Sequence, residues 1–114
     1  MFEPVRLISI KLNLWRRVMT IKELLKTKRT EILRIAARHG ARNVRVFGSV
    51  ARDEEGKHSD IDLLVEMEPG RSLMDHAAIL LELQESLGYR VDVISDRGIK
   101  PRIRDIVMRE AVPL

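Results

Sequence analysis

The chain has 114 residues, of which 45% are hydrophobic and 33% are charged, and it contains no cysteine. This composition is typical of one folded domain with a modest core. It excludes an intrinsically disordered chain, a disulfide framework and a thiolate metal site. Because no apolar run approaches the length of a membrane span, we expect a cytoplasmic protein that does not bind membranes.

The net charge of +4 is unevenly distributed along the chain. Residues 1–42 carry eleven Lys and Arg against three Glu, whereas residues 43–114 carry ten Lys and Arg against fourteen Asp and Glu. The basic part is either a solvated helical surface or a landing surface for an acidic partner or RNA. Aromatic residues make up only 4% of the chain, which argues against a base-stacking platform. Direct binding of nucleic acid is therefore left open.

Residues 1–18 differ in pattern from the rest of the chain. They alternate loosely between apolar and polar residues, and they lack the apolar core and cleavage site of a signal peptide. Met19 is followed by Thr20 and, three residues later, Glu23, a capping box that opens a helix. We interpret residues 1–18 as an extension upstream of a natural start at Met19, or else as a docking arm. The main domain then covers residues 19–114.

The residue periodicities predict, in chain order, helix, helix, strand, strand, helix, strand and helix. The predicted helices lie at 21–25, 32–36, 72–87 and from residue 101 onward, and the predicted strands lie at 44–47, 61–65 and 89–94. Gly40 and Gly88 end helices, Pro113 ends the pattern, and His39 is interpreted as a helix-end cation and not a ligand. The predicted fold is therefore α/β, with a small mixed sheet that has helices mainly on one face.

Carboxylates stand at the start of two of these strands. Asp60, Asp62 and Leu64 share one face of their strand, because residues two apart in a strand point the same way. If the strand at 89–94 is adjacent, Asp92 joins the two carboxylates on that face. Burying ionised carboxylates without compensation is costly, so a cation must neutralise them. Arg52 and Mg²⁺ are the two candidates, and three converging carboxylates favour a two-metal site with Asp92 as general base.

A Gly48-Ser49 turn precedes these carboxylates. Glycine allows a close backbone approach, Ser49 offers a hydroxyl and an N–H group, and a helical turn over 50–52 would direct further N–H groups at a phosphate. Together with the carboxylates, the turn indicates a site for a nucleoside triphosphate and a divalent metal. The competing structural interpretation is that Asp60 caps a turn, Asp62 pairs with Arg52 and Asp92 is merely an edge-strand charge.

These residues resemble the signature of the DNA polymerase beta-like nucleotidyltransferase superfamily. The flanking sequences at 45–52, 68–72 and 91–94 are more narrowly similar to the minimal nucleotidyltransferases, the antitoxin partners of HEPN-type ribonuclease toxins. The resemblance implies that Asp60, Asp62 and Asp92 are catalytic metal ligands and that Gly48, Ser49 and Arg52 bind the nucleotide. It further implies Mg²⁺-dependent transfer of AMP from ATP to a tyrosine hydroxyl of a HEPN toxin, which silences that toxin.

The chain departs from the family pattern at one position. The family usually has glycine after the motif arginine, whereas Asp53 stands here and adds a negative charge near the phosphates. We expect Arg52 to offset that charge by pairing with Asp53 or by contacting phosphate. Because Asp53 could weaken nucleotide binding, one alternative is an antitoxin that masks its toxin without catalysis. Another alternative is a transferase acting on RNA ends or on a small hydroxylated molecule.

The chain is too short to hold a separate acceptor-binding domain, so we expect a partner protein to bring the acceptor. Such a partner would need an apolar surface. The candidates for it are Leu73, Met74, Ile79 and Met108, although leucine and methionine at helical spacing are more often core residues. Lys100, Arg102 and Arg104 could contact the triphosphate or the partner, or simply form a solvated face.

Overall fold

The computed structural model describes residues 20–54 and 60–114. The proposed N-terminal extension, residues 1–18, lies outside them. The described helices are α1 Ile21–Thr27, α2 Arg29–Arg38, α3 Gly48–Ala51, α4 Leu73–Leu87 and α5 Pro101–Glu110, and the strands are β1 Ala41–Phe47, β2 Ile61–Met67, β3 Val91–Ser95 and β4 Val112–Pro113. Among these helices, none is long and apolar enough to cross a membrane.

The capping box predicted at Thr20 opens α1. The Glu23 N–H donates to the Thr20 hydroxyl oxygen at 3.1 Å, and the Thr20 N–H donates to the Glu23 carboxylate at 3.2 Å. These two bonds satisfy N–H groups that the first turn of a helix leaves free. Only Lys28 separates α1 from α2, so the two predicted N-terminal helices are confirmed as a closely linked pair.

The four strands form one mixed sheet in the order β3-β2-β1-β4. Strand β2 runs antiparallel to β1 and parallel to β3. The parallel pairing requires a crossover between β2 and β3, which α4 provides. Gly88 ends α4 with a φ of 72°, the left-handed conformation that favours glycine, and confirms the predicted stop. The predicted α/β fold with a small mixed sheet is therefore correct.

The two faces of β2 pack against different cores. Ile61, Leu63 and Val65 belong to the larger core, which also includes residues of α1, α2 and α4. Leu64 belongs to a smaller core on the other face. Its buried partners there are Phe47, Ile99 and Val107. Helices thus lie mainly on one face, as predicted, and α5 covers part of the face that carries Asp62 through Val107.

Strand β3 forms an edge of the sheet and is held by side chains of α4. His76 Nε2 lies 2.6 Å from the carbonyl oxygen of Val93, and the N–H of Val91 donates to Gln84 Oε1 at 3.3 Å. These contacts occupy backbone groups that an edge strand would otherwise leave open to another strand. The edge is therefore fixed to its own crossover helix.

The structure corrects the sequence-based prediction at three places. Val112 and Pro113 form β4, paired with Val46 and Arg45 of β1, where we had expected the regular structure to end. A strand of two residues has no periodicity, and proline is tolerated because the strand lies at an edge. The helical turn predicted at 50–52 begins instead at Gly48. A 3-10 helix at Asp96–Gly98, also not predicted, precedes α5.

Candidate active site

The sheet register brings the three predicted carboxylates to one end of the β2–β3 pair. Asp62 and Asp92 are directly paired residues on the two parallel strands. Asp60 directly precedes β2, which begins at Ile61. Asp60 and Asp92 are exposed, whereas Asp62 is partly buried. The charges of Asp92 and Asp60 both act on Asp62, so the three carboxylates lie near one another at this end of the sheet.

The carboxylates carry negative charge that the described protein does not neutralise. None of the three forms a hydrogen bond or ion pair with another described residue. Burial, reinforced by the charges of Asp92 and Asp60, raises the pKa of Asp62 to about 6, although the charge of Arg52 acts in the opposite direction. The competing interpretation, in which Asp62 pairs with Arg52, is not what the structure has.

The donor set suits a hard divalent cation. Within the described part of the chain, no three acidic or histidine side chains are close enough together to coordinate one metal ion. Mutually repelling carboxylates are expected to stand apart until a cation draws them together. Carboxylate oxygens are the ligands that Mg²⁺ uses in proteins, and Asp62 gains most from neutralisation because it is partly buried. The chemistry of Asp60, Asp62 and Asp92 therefore suits a divalent cation such as Mg²⁺.

The raised pKa of Asp62 predicts a specific pH dependence of stability. Its folded pKa of about 6 exceeds its ordinary value of 3.8, so between these values the folded state binds more protons than the unfolded state. We therefore expect the contribution of Asp62 to the free energy of unfolding to be largest below about pH 4 and to decline as pH rises through about 6. Thermal melts of the metal-free protein across this window would measure the decline.

Asp62→Asn provides the reference for that measurement. It removes this titration and leaves all other titrating groups in place, so the difference between the two melting curves isolates Asp62. A difference that does not change between about pH 4 and pH 7 would contradict the raised pKa.

The Gly48-Ser49 turn lies directly against Asp62. Phe47, the residue before the turn, is paired with Asp62 in the β1–β2 ladder. Gly48 has a φ of +76°, and a Cβ atom added to it would stand 2.3 Å from Asp62 Oδ2. Both the backbone conformation and the space therefore require glycine at this position. The turn predicted to hold the phosphates is thus in contact with the carboxylates predicted to hold the metal.

Arg52 and Asp53 follow this turn, but their partners differ from those we had expected. Arg52 pairs with Glu54 at 2.8 Å and with Glu110 at 3.0 Å, not with Asp53. Asp53 pairs with Lys22 of α1 at 2.6 Å. Asp53 also has a φ of 60°, which explains why glycine suits the position and why aspartate, which tolerates this conformation better than most residues, can replace it.

The other residues singled out in the sequence have varied surroundings. His39 ends α2 and contacts Glu82 of α4, which agrees with the interpretation as a helix-end residue. Arg104 donates to the Asp96 carbonyl oxygen at 2.8 Å, while Lys100 and Arg102 are exposed.

One of the four candidates for an apolar partner surface was wrong. Ile79 is fully buried, because with Leu83 and Leu87 it forms the inward stripe of α4. Leu73, Met74 and Met108 are exposed, and the first two are 83% and 79% accessible. These three remain available to a partner.

Comparison with known proteins places this arrangement in a family. The family model described as a nucleotidyltransferase domain matches residues 20–114. The chain therefore belongs to the nucleotidyltransferase family, and its fold is that of this family.

Two relatives of the chain are named as nucleotidyltransferases that act on proteins. The chain is 40% identical over 94 residues to a provisionally named protein adenylyltransferase of Methanocaldococcus jannaschii, covering 82% of this chain and 97% of that one. It is 33% identical over 95 residues to the protein adenylyltransferase MntA of Thermococcus cleftensis, covering 83% of this chain and 96% of that one.

Two solved structures share the fold. One, provisionally named a minimal nucleotidyltransferase, is 56% identical, with a TM-score of 0.72 over 79% of this chain and 92% of that one. The other is a toxin–antitoxin crystal structure with AMP-PNP, which is 20% identical, with a TM-score of 0.63 over 76% of this chain and 69% of that one. The protein is therefore a nucleotidyltransferase of the minimal type.

Proposed function

We propose that the protein is an antitoxin that transfers AMP from ATP to a tyrosine hydroxyl of a HEPN-type ribonuclease toxin in the cytoplasm and so silences the toxin. The observation that carries the proposal is the pairing of Asp62 with Asp92, with the Gly48 turn against Asp62. The names of the two protein adenylyltransferase relatives support AMP as the transferred group and a protein as the acceptor.

The proposed reaction is a substitution at the α-phosphorus of ATP. The acceptor hydroxyl oxygen attacks the α-phosphorus of ATP, the bond to the bridging oxygen of the β-phosphate breaks, and pyrophosphate leaves. Asp92, the more exposed member of the directly paired carboxylates, takes the hydroxyl proton as general base. Asp60 and Asp62 would hold Mg²⁺, which when bound neutralises charge on the phosphates. Gly48 and Ser49 orient the triphosphate through the backbone and the serine hydroxyl.

Several features support a protein acceptor brought from outside. The family model matches residues 20–114, so the nucleotidyltransferase domain itself accounts for the described fold. Leu73 and Met74 are exposed apolar residues of the kind that a protein partner covers. The similarity of the fold to a toxin–antitoxin structure agrees with such an assembly but, at 20% identity, does not by itself assign one.

The test is transfer of label from ATP to a HEPN-type ribonuclease toxin of the same organism, the proposed partner. Label on the α-phosphate is expected to appear on the partner, whereas label on the γ-phosphate is not. An Asp60→Asn, Asp62→Asn double variant is expected to lose transfer and neutralisation while still forming the complex. Mass spectrometry of the modified peptide would identify the acceptor side chain.

The competing function is an antitoxin that neutralises by masking alone. Asp53 favours it, because the residue adds a negative charge beside the nucleotide turn, although Lys22 pairs with that charge. Under masking, the double variant would neutralise the toxin as well as the wild type does. Label found on RNA or on a small hydroxylated molecule, and none on the partner, would contradict both functions.

A further inference from the structure

The side chain of Arg52 is held at two of its three guanidinium nitrogens. Its Nε donates to Glu54 at 2.8 Å, and its Nη1 donates to both carboxylate oxygens of Glu110 at 3.1 and 3.0 Å. Glu110 is the last residue of α5, and its side chain is 25% exposed, compared with 63% for Glu54. Because Glu110 is less exposed and contacts Arg52 with both oxygens, it is the firmer of the two anchors.

The third nitrogen of the guanidinium group is Nη2, which carries two protons. Nη2 of Arg52 forms no hydrogen bond with the parts of the chain at 20–54 and 60–114. The turn at Gly48, with which α3 begins, lies against Asp62, and Arg52 directly follows this short helix. A planar group fixed at Nε and Nη1 can turn only a little, so the direction of Nη2 is set by its two acidic partners.

We propose that Glu110 is a positioning residue, which holds Arg52 so that Nη2 donates to the triphosphate of ATP. The inference rests on the proposed function, since it takes ATP as the ligand of the Gly48-Ser49 turn. Arg52 ends α3, the short helix that begins at Gly48, so the guanidinium and the turn belong to one local unit. Without Glu110 the long arginine side chain would sample many rotamers, and binding ATP would have to order it.

A positioning role and a general charge effect predict opposite changes in ATP affinity when Glu110 is replaced. Removing a carboxylate near the site should strengthen binding of anionic ATP if only long-range charge matters. It should also strengthen binding if Glu110 sequesters Arg52 away from the phosphates. Under the proposal, in contrast, Glu110→Gln weakens ATP binding because Arg52 loses its fixed direction.

Asp105→Asn is the matched control. Asp105 is an exposed carboxylate on the same helix, α5, and its side chain has no ion pair with another described residue. The substitution removes the same charge without touching Arg52. It is therefore expected to leave ATP affinity nearly unchanged.

The experiment is calorimetric titration of the full chain, in the presence of Mg²⁺, with an ATP analogue that has a non-hydrolysable α–β bridge. We expect Glu110→Gln to weaken binding by roughly five- to tenfold, as expected for disturbing one charge-assisted hydrogen bond. In an Arg52→Ala background, the same substitution should have little further effect, because its consequence passes through Arg52. The affinity for AMP, which lacks the outer phosphates, should change far less than the affinity for the analogue.

The opposing outcomes are distinct. Unchanged or tighter binding by Glu110→Gln overturns the positioning role and leaves the proposed function standing. An equal loss in the Arg52→Ala background also overturns it, because Glu110 would then act on the fold and not through Arg52. Absence of analogue binding by the wild type would count against the proposed function itself, and the positioning role would fall with it.

Discussion

Replacing Asp62 with Asn is expected to reduce AMP transfer by roughly 10²- to 10⁴-fold and at the same time to make the metal-free protein more stable. The loss of transfer follows because the amide is a poorer ligand for a divalent cation than the carboxylate. The gain in stability follows because burial and the charges of Asp92 and Asp60 disfavour the ionised form of Asp62, as its raised pKa indicates. We expect a gain of about 1 kcal/mol at neutral pH, discounted for partial exposure to water.

Asp75→Asn is the reciprocal control for this prediction. Asp75 accepts a hydrogen bond from the N–H of Ser72 at 3.0 Å, in the capping box of α4, and this bond lowers the pKa of Asp75. Its replacement should therefore lower the melting temperature while transfer is retained. Steady-state transfer and thermal melts of the two variants would test the opposite signs. A destabilised Asp62→Asn protein would show that the carboxylate contributes to the fold and is not a strained functional group.

Gly48→Ala is expected to damage both the fold and the site. The new Cβ atom would stand 2.3 Å from Asp62 Oδ2, so either the turn or the carboxylate must move. The backbone strain of a positive φ costs about 1–2 kcal/mol, and the contact adds to it. Displacing Asp62 by about 1 Å is enough to reduce transfer by about 10²-fold. Transfer rates and denaturant unfolding of the variant would measure the two effects.

Gly70→Ala separates backbone strain from the contact with Asp62. Gly70 has a φ of +84°, close to the +76° of Gly48, but a Cβ atom added there would meet no atom within 4 Å. The control variant should therefore lose stability through strain alone and retain full transfer. If Gly48→Ala loses no more stability or activity than Gly70→Ala does, the close approach of the turn to Asp62 has no functional importance.

The sequence predicted what depends on neighbours along the chain. The capping box at Thr20, the stop at Gly88 and the two faces of β2 depend on residues a few positions apart, and the structure confirms them. The sequence also showed that Asp92 would share the face of Asp62 if their strands were adjacent. Whether the two strands are adjacent depends on the strand order, which the local sequence pattern does not determine. The structure shows that β2 and β3 are adjacent.

The surroundings of Arg52 could not be predicted for a related reason. Glu110 is 58 residues away in sequence, and nothing in the α5 sequence distinguishes it from the other exposed charges of that helix. Lys22, the partner of Asp53, belongs to α1 and has the appearance of an ordinary solvated lysine. For the same reason β4 could not be predicted, because its two residues form a strand only through their pairing with β1. Ion pairs and short edge strands are products of the assembled fold.

The division of the carboxylates between β2 and β3 links the site to the hydrogen-exchange behaviour of the sheet. Asp62 belongs to β2 and Asp60 directly precedes it, whereas Asp92 belongs to the edge strand β3, which follows the crossover helix α4. Any opening that releases β3 therefore separates the ligand set while β1 and β2 remain paired. A cation or nucleotide that binds across the two strands must then slow the exchange of the β3 amides more than that of β1. An edge strand of the sheet is thus the one whose closure keeps the three carboxylates together.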